Sequence, residues 1–169
     1  MTPSVLILGV GNPSRGDDAL GPFLIQKLET LLTEEEKAAA GGIELLTDFQ
    51  LQIEHALDLL NRSLVLFVDA HVNCSPPFEL TIIKPQTNRS ISTHALAPEA
   101  VLRVYEELYH HCPPPAFQLG LCAESFELGE SLSPKARLHL DAALDGVRWL
   151  CQHPDAHSWK TRCKSVPPP

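Results

Sequence analysis

Apolar positions along the chain fall into two alternating rhythms. Short apolar-rich runs, at Val5 to Leu8, Ile43 to Leu46, Leu64 to Val68, Phe78 to Ile83 and Ala116 to Ala123, have the length of strands, and LVLFV is unbroken. Between them apolar residues recur every three or four positions. Leu20, Phe23, Leu24, Leu28, Leu31 and Leu32 mark a helix from Asp18 to Leu32, and Ile53, Ala56, Leu57 and Leu60 mark a second within Gln50 to Arg62. Leu102, Tyr105, Leu108 and Tyr109 belong to a third, opened by Ala97-Pro98-Glu99. Ala136, Leu140, Ala143, Leu144, Val147 and Cys151 belong to a fourth, opened by the cap Ser133-Pro134. The LVLFV run suits the middle of a parallel sheet, buried on both faces. Phe78 to Ile83, closed by Pro85, suits an edge. The alternation predicts a three-layer α/β/α sandwich around a mainly parallel central sheet, as a single domain over residues 1–152. Past Cys151 the rhythm stops, and Pro154 and the VPPP end predict a poorly ordered tail over residues 153–169.

Composition narrows the class. A chain of 169 residues, 44% hydrophobic and 20% charged, is enough for one well-formed core. Its net charge of -8, with 13 Lys and Arg spread along the chain, lacks the basic cluster that nucleic acid needs. No apolar segment approaches the roughly 20 residues that cross a bilayer. The first residues carry no basic stretch ahead of an apolar run, so the expected location is the cytoplasm. Cys74, Cys112, Cys122, Cys151 and Cys163 make an odd set with no CxxC pair, and are expected as reduced thiols.

Candidate chemistry begins in the stretch VLILGVGNPSRGDDALG, Val5 to Gly21, where a strand empties into a glycine-rich loop and then a helix. A dinucleotide fingerprint would need glycine where Ser14 stands, and a phosphate loop would need a Gly-Lys-Ser/Thr ending. A nucleotide-binding module built on Gly9 to Gly16 is thus a rival without its fingerprint. Asp17 and Asp18 suit the positive end of a helix, and they also suit a metal ion. Asp69 follows the LVLFV strand, where an ionised carboxylate is costly unless paired. With His94 from a later polar loop, Asp18 and Asp69 offer two carboxylates and an imidazole, a sensible set for a divalent first-row metal. Taken singly, the three have plainer readings as helix-start charge, turn residue and surface histidine. His71 and His55 lie near the same edge as possible supports for the ligands. His153, His157 and Cys163 have ligand-like types but fall in the tail. No G-x-S-x-G, HExxH or DTG pattern occurs, so the familiar serine, zinc and aspartic protease mechanisms have no support.

The motif GVGNPSRGDDALG resembles the opening of the [NiFe]-hydrogenase maturation endopeptidases, which trim the C-terminus of the hydrogenase large subunit after nickel insertion. The resemblance continues through TDFQLQIEHALDL, LVLFVDA, the IS-x-H segment ending at His94, and the AES-x-x-x-G-x-S-x-SP run from Ala123 to Pro134. It implies that Asp18, Asp69 and His94 bind nickel and that Asp48 takes part in substrate recognition. The nickel would come with the large-subunit precursor rather than be held by the free protease, which is expected as a monomer. Asp17→Ala is expected mainly to weaken the helix start. A non-proteolytic nickel-binding accessory protein for hydrogenase is the alternative that the same residues allow.

Overall fold

The computed structural model describes residues 2–86 and 96–164. In chain order its elements are β1 (Val5–Val10), a 3-10 turn (Gly16–Ala19), α1 (Leu20–Leu31), α2 (Glu34–Ala38), β2 (Ile43–Asp48), α3 (His55–Asp58), β3 (Leu64–His71), β4 (Phe78–Ile83), α4 (Pro98–Tyr109), β5 (Ala116–Cys122), α5 (Pro134–Gln152) and α6 (Ala156–Thr161). The strands form one sheet in the order β2-β1-β3-β5-β4. All neighbours are parallel except the last pair, where β4 runs antiparallel at the edge.

Strand alternation divides the core into two layers. Val5, Ile7, Leu66 and Val68 meet α1, α5 and α6 on one face of the sheet. Leu6, Leu8, Val65 and Phe67 meet α3 and α4 on the other. The predicted sandwich is therefore the observed one, and the LVLFV run lies at its centre with every residue at 0–1% exposure. Ser133 caps α5 by accepting from the Ala136 N–H at 3.1 Å, with Pro134 in the first turn.

Three expectations need correction. The helix expected over Gln50 to Arg62 shrinks to the four residues of α3, flanked by turns. It is also rotated: Leu51, His55, Ala56 and Leu59 point inward, while Ile53 and Leu57 stay 55% and 58% exposed. The reason is tertiary, since His55 is drawn in to pair with Asp48.

The tail expected to be poorly ordered is instead packed over residues 153–164. Asp155 caps α6 through the Ser158 N–H at 2.7 Å. Trp159 is fully buried, donates its indole N–H to the Leu150 carbonyl at 3.0 Å, and meets Phe117 edge-on with ring centroids 5.3 Å apart. Lys164 then donates its backbone N–H to Leu80 at 3.0 Å, alongside the edge strand. One indole anchors what the broken periodicity leaves unsupported.

The cysteines also differ from expectation, because Cys74 and Cys122, 48 residues apart, form a disulfide while Cys112, Cys151 and Cys163 remain free. His71 pairs with Cys122 in the β3–β5 register, so the chain turning back after β3 delivers Cys74 to that strand end. No sequence-local spacing announces such a pair.

Candidate functional site

The site grows from the carboxyl ends of β1, β2 and β3, where parallel strands of an α/β sheet open into their loops. After β1 the chain turns sharply at Gly11, whose φ of +147° and approach to Asp18 leave no room for a side chain: a Cβ there would lie 1.9 Å from the Asp18 carbonyl oxygen. The turn brings the Asn12 N–H to the Asp18 carboxylate at 2.8 Å and so aims that carboxylate.

The two adjacent acids do different things. Asp17 is 1% exposed. Its Oδ1 accepts from the Ser133 N–H at 2.7 Å, and its Oδ2 accepts from the Ser133 hydroxyl and the Glu124 N–H, both at 2.8 Å. Burial pushes its pKa up, but these donors outweigh burial and leave it below the ordinary carboxylate value. Backbone bonds reinforce the clamp: Asp17 N–H to Ser125 at 2.9 Å, Gly16 N–H to Glu130 at 3.2 Å and Gly129 N–H to Ser14 at 2.7 Å. Gly16, at φ +54°, would bring a Cβ within 2.7 Å of the Ser125 carbonyl oxygen, so the two loops pack backbone to backbone. The view of Asp17 as a helix-start charge is thereby corrected; it locks the opening loop to the segment before α5.

Asp18 instead lines a cavity of about 570 Å³ together with Asp69. Asn12, Arg15 and Gln50 supply polar wall, and Phe49, Leu51, Leu96 and Phe126 supply apolar wall. Burial pushes the Asp69 carboxyl up to about 7; the Ala70 N–H, donating at 2.8 Å, pulls it down, and the nearby Asp18 charge raises it further. Among the described residues neither acid forms an ion pair with Arg15, the one cationic residue on the wall. Two carboxylates meeting in one cavity are a charge arrangement that a divalent cation relieves.

His94 lies outside the described residues. Asp48 ends β2 beside Val10, and its carboxylate accepts from the Phe49 N–H at 2.7 Å and from His55 Nε2 at 3.1 Å. His55 Nδ1 in turn accepts from the Gln52 N–H at 2.8 Å, so its ring proton sits on Nε2 and points at Asp48. His55 thus supports Asp48 and not the paired acids. His71 lies two residues beyond Asp69 with its ring over Gly120, where a Cβ would come within 2.4 Å, and its Nε2 is 3.2 Å from the Gln118 amide nitrogen. Burial lowers its pKa, against the opposing pull of Glu79 and Glu99. His153 stacks on Trp149 at 4.0 Å, and Cys163 faces the Trp159 carbonyl. Among the described residues no group of three or more metal-ligating side chains forms, in the tail or elsewhere. Arg15, Phe49, Leu96 and Phe126 are not candidates from the sequence, although Arg15 and Phe49 lie inside GVGNPSRGDDALG and TDFQLQIEHALDL.

The fold is one that hydrogenase maturation endopeptidases also have, the family whose motifs this chain's sequence resembles. Among solved structures the chain is similar to the [NiFe] hydrogenase maturation protease HycI of Thermococcus kodakarensis, with TM-score 0.66, 22% identity, and coverage of 89% of this chain and 93% of that one. It is similar to the hydrogenase maturating endopeptidase HybD of E. coli, with TM-score 0.65, 22% identity, and coverage of 88% and 93%. An endopeptidase from Escherichia coli aligns at 26% identity and TM-score 0.64 over 85% of this chain and 88% of that one. No protein-family model matches the chain, and no curated protein does.

Proposed function

We propose that this chain is a nickel-dependent endopeptidase that removes the C-terminal extension from a [NiFe]-hydrogenase large-subunit precursor in the cytoplasm. The observation that carries the reading is the meeting of Asp18, from the opening turn, and Asp69, from the end of the central strand, in one cavity of a fold shared with maturation endopeptidases. The nickel belongs to the substrate. Asp18, Asp69 and His94 contact it there, and so sense that the precursor is loaded. Three ligands leave coordination positions for the groups that already hold the metal in the precursor, which fits a sensor better than a storage site. The free protease is accordingly a monomer isolated with little nickel.

The described residues on the cavity wall include no serine, threonine, cysteine or histidine. Peptide hydrolysis in this reading uses water as the nucleophile, the sequence holding no G-x-S-x-G nucleophile motif. Nickel brought by the precursor and contacted by Asp18, Asp69 and His94 would supply Lewis-acid polarisation of the scissile carbonyl or of water. Arg15 and Asn12 stand on the same wall as donors for peptide carbonyls.

The test is incubation with nickel-loaded and nickel-free precursor, read by intact mass. Loss of a C-terminal fragment from the loaded form alone is the expected result. Binding of loaded precursor without shortening would instead make the chain an accessory protein, and equal cleavage of both forms would remove nickel from the mechanism.

A further inference from the structure

The segment that follows β2 carries an apolar surface with no partner in the fold. Phe49 is 68% exposed, Ile53 55% and Leu57 58%. Phe49 is part of the cavity wall, and Ile53 and Leu57 follow it along the chain at steps of four residues. Sequence periodicity would have buried Ile53 and Leu57 together with Ala56. The pair between Asp48 and His55 prevents this: His55, 8% exposed, occupies the inward position and is held by both ring nitrogens, to the Gln52 N–H at 2.8 Å and to Asp48 at 3.1 Å. Turning His55 inward turns Ile53 and Leu57 outward. Within one chain, the exposure of three large apolar side chains over residues 49–57 forfeits burial that would stabilise them.

We propose that Phe49, Ile53 and Leu57 form a docking strip for the folded body of the protein substrate, held outward by the Asp48–His55 pair, and that the matching surface is apolar and edged with Lys or Arg. The proposal rests on the maturation-protease reading. Charge argues for the basic edge, because exposed Glu54 and half-buried Asp58 flank the strip on a chain of net charge -8. The same charges argue against a second copy of this chain, which would bring like charges together across a symmetric contact. Area argues likewise: three such side chains offer on the order of 300 Å² of apolar surface, against roughly 800 Å² per partner in a stable dimer. That suits a transient contact in which the peptide in the cavity supplies the remainder. Asp48 is then a positioning residue, whose carboxylate serves recognition through the strip.

The experiment uses the full chain and the nickel-loaded full-length precursor of its own source. An Ile53→Lys/Leu57→Lys variant should raise KM roughly tenfold or more with kcat held, because it removes apolar contact and repels a basic partner. Its melting temperature should stay close to the parent's, both positions being exposed. Asp48→Asn leaves one acceptor oxygen for two donors, the Phe49 N–H and the His55 Nε2–H, weakens the pair, and should raise KM in the parent. On the strip variant it should add little, since additive effects belong to independent sites. Multiplying effects would show that Asp48 touches the substrate itself and overturn its positioning role. Unchanged KM in the strip variant would overturn the docking strip and leave the protease reading standing. A parent that fails to shorten the loaded precursor would overturn both. A parent that sediments as a dimer, with the strip variant monomeric, would assign the strip to a second copy and overturn the proposed occupant.

Discussion

Replacing Asp69 with Asn should stabilise the protein and inactivate it, and the stabilisation should depend on pH in a specific way. In the folded chain burial, with help from Asp18, moves the Asp69 carboxyl from 3.8 to about 7. A raised acid binds its proton more tightly folded than unfolded, so between those values the folded state holds more protons and stability falls as pH rises. Taken at face value the change amounts to about 4 kcal/mol. Asp69 faces a cavity and is not wholly enclosed, so solvent screening reduces this, and about 2 kcal/mol is the expected size at pH 8. Asn keeps the shape and can still accept the Ala70 N–H, but carries no charge. The variant and parent should therefore have similar stability near pH 4, and the variant should gain progressively to pH 8. For a chain of this length that gain is a melting temperature higher by about 4 to 8 °C. Urea or thermal unfolding of both proteins from pH 4 to pH 8 isolates the effect, because every other titrating group is common to the two. A difference that does not change with pH, or a variant less stable at pH 8, would refute the account of Asp69 as a buried, uncompensated carboxylate. Loss of precursor processing in the same variant would show that the instability is retained for function.

Asp17→Ala should cost about 3 kcal/mol, since it strands the Glu124 and Ser133 N–H donors, and should lower the melting temperature by about 6 to 12 °C. Because its pKa is lowered, the stability Asp17 lends is present above about pH 4 and lost as pH falls through its folded value, so parent and variant melts should converge in acid. Trp159→Ala should cost about 3 to 5 kcal/mol, measured by urea unfolding, where an idle tail would cost nothing. His94→Ala, on the strength of the family resemblance, should abolish processing assayed by mass while the thermal melt stays within about 0.5 kcal/mol of the parent; normal processing would remove His94 from the ligand set, and a much lower melt would make it structural.

Legibility in the sequence followed the range of the interactions. The LVLFV run could only be a strand buried on both faces, and Asp69, the next residue, was bound to emerge at the carboxyl edge where loops gather. Ser133-Pro134 announced α5 because a cap is a contact over three residues. The glycine loop and the LVLFV run each put an acid just past a strand's carboxyl end, and the parallel pairing of β1 with β3 brings both to one edge.

Which of Asp17 and Asp18 faces the cavity was not local, since it depends on Ser133, 116 residues from Asp17. The inward face of the segment after β2 was decided by Asp48, on a different element, overriding the apolar periodicity. Trp159 was invisible to periodicity because a single indole needs no repeat, only a hole between α5 and Phe117 that exists once the sheet has formed. Cys74 and Cys122 meet because β3 and β5 are neighbours in space, a pairing that strand order decides. Residue types and spacing dictate what a segment can bury; which side it buries, and against what, is decided by partners that only the folded sheet brings within reach.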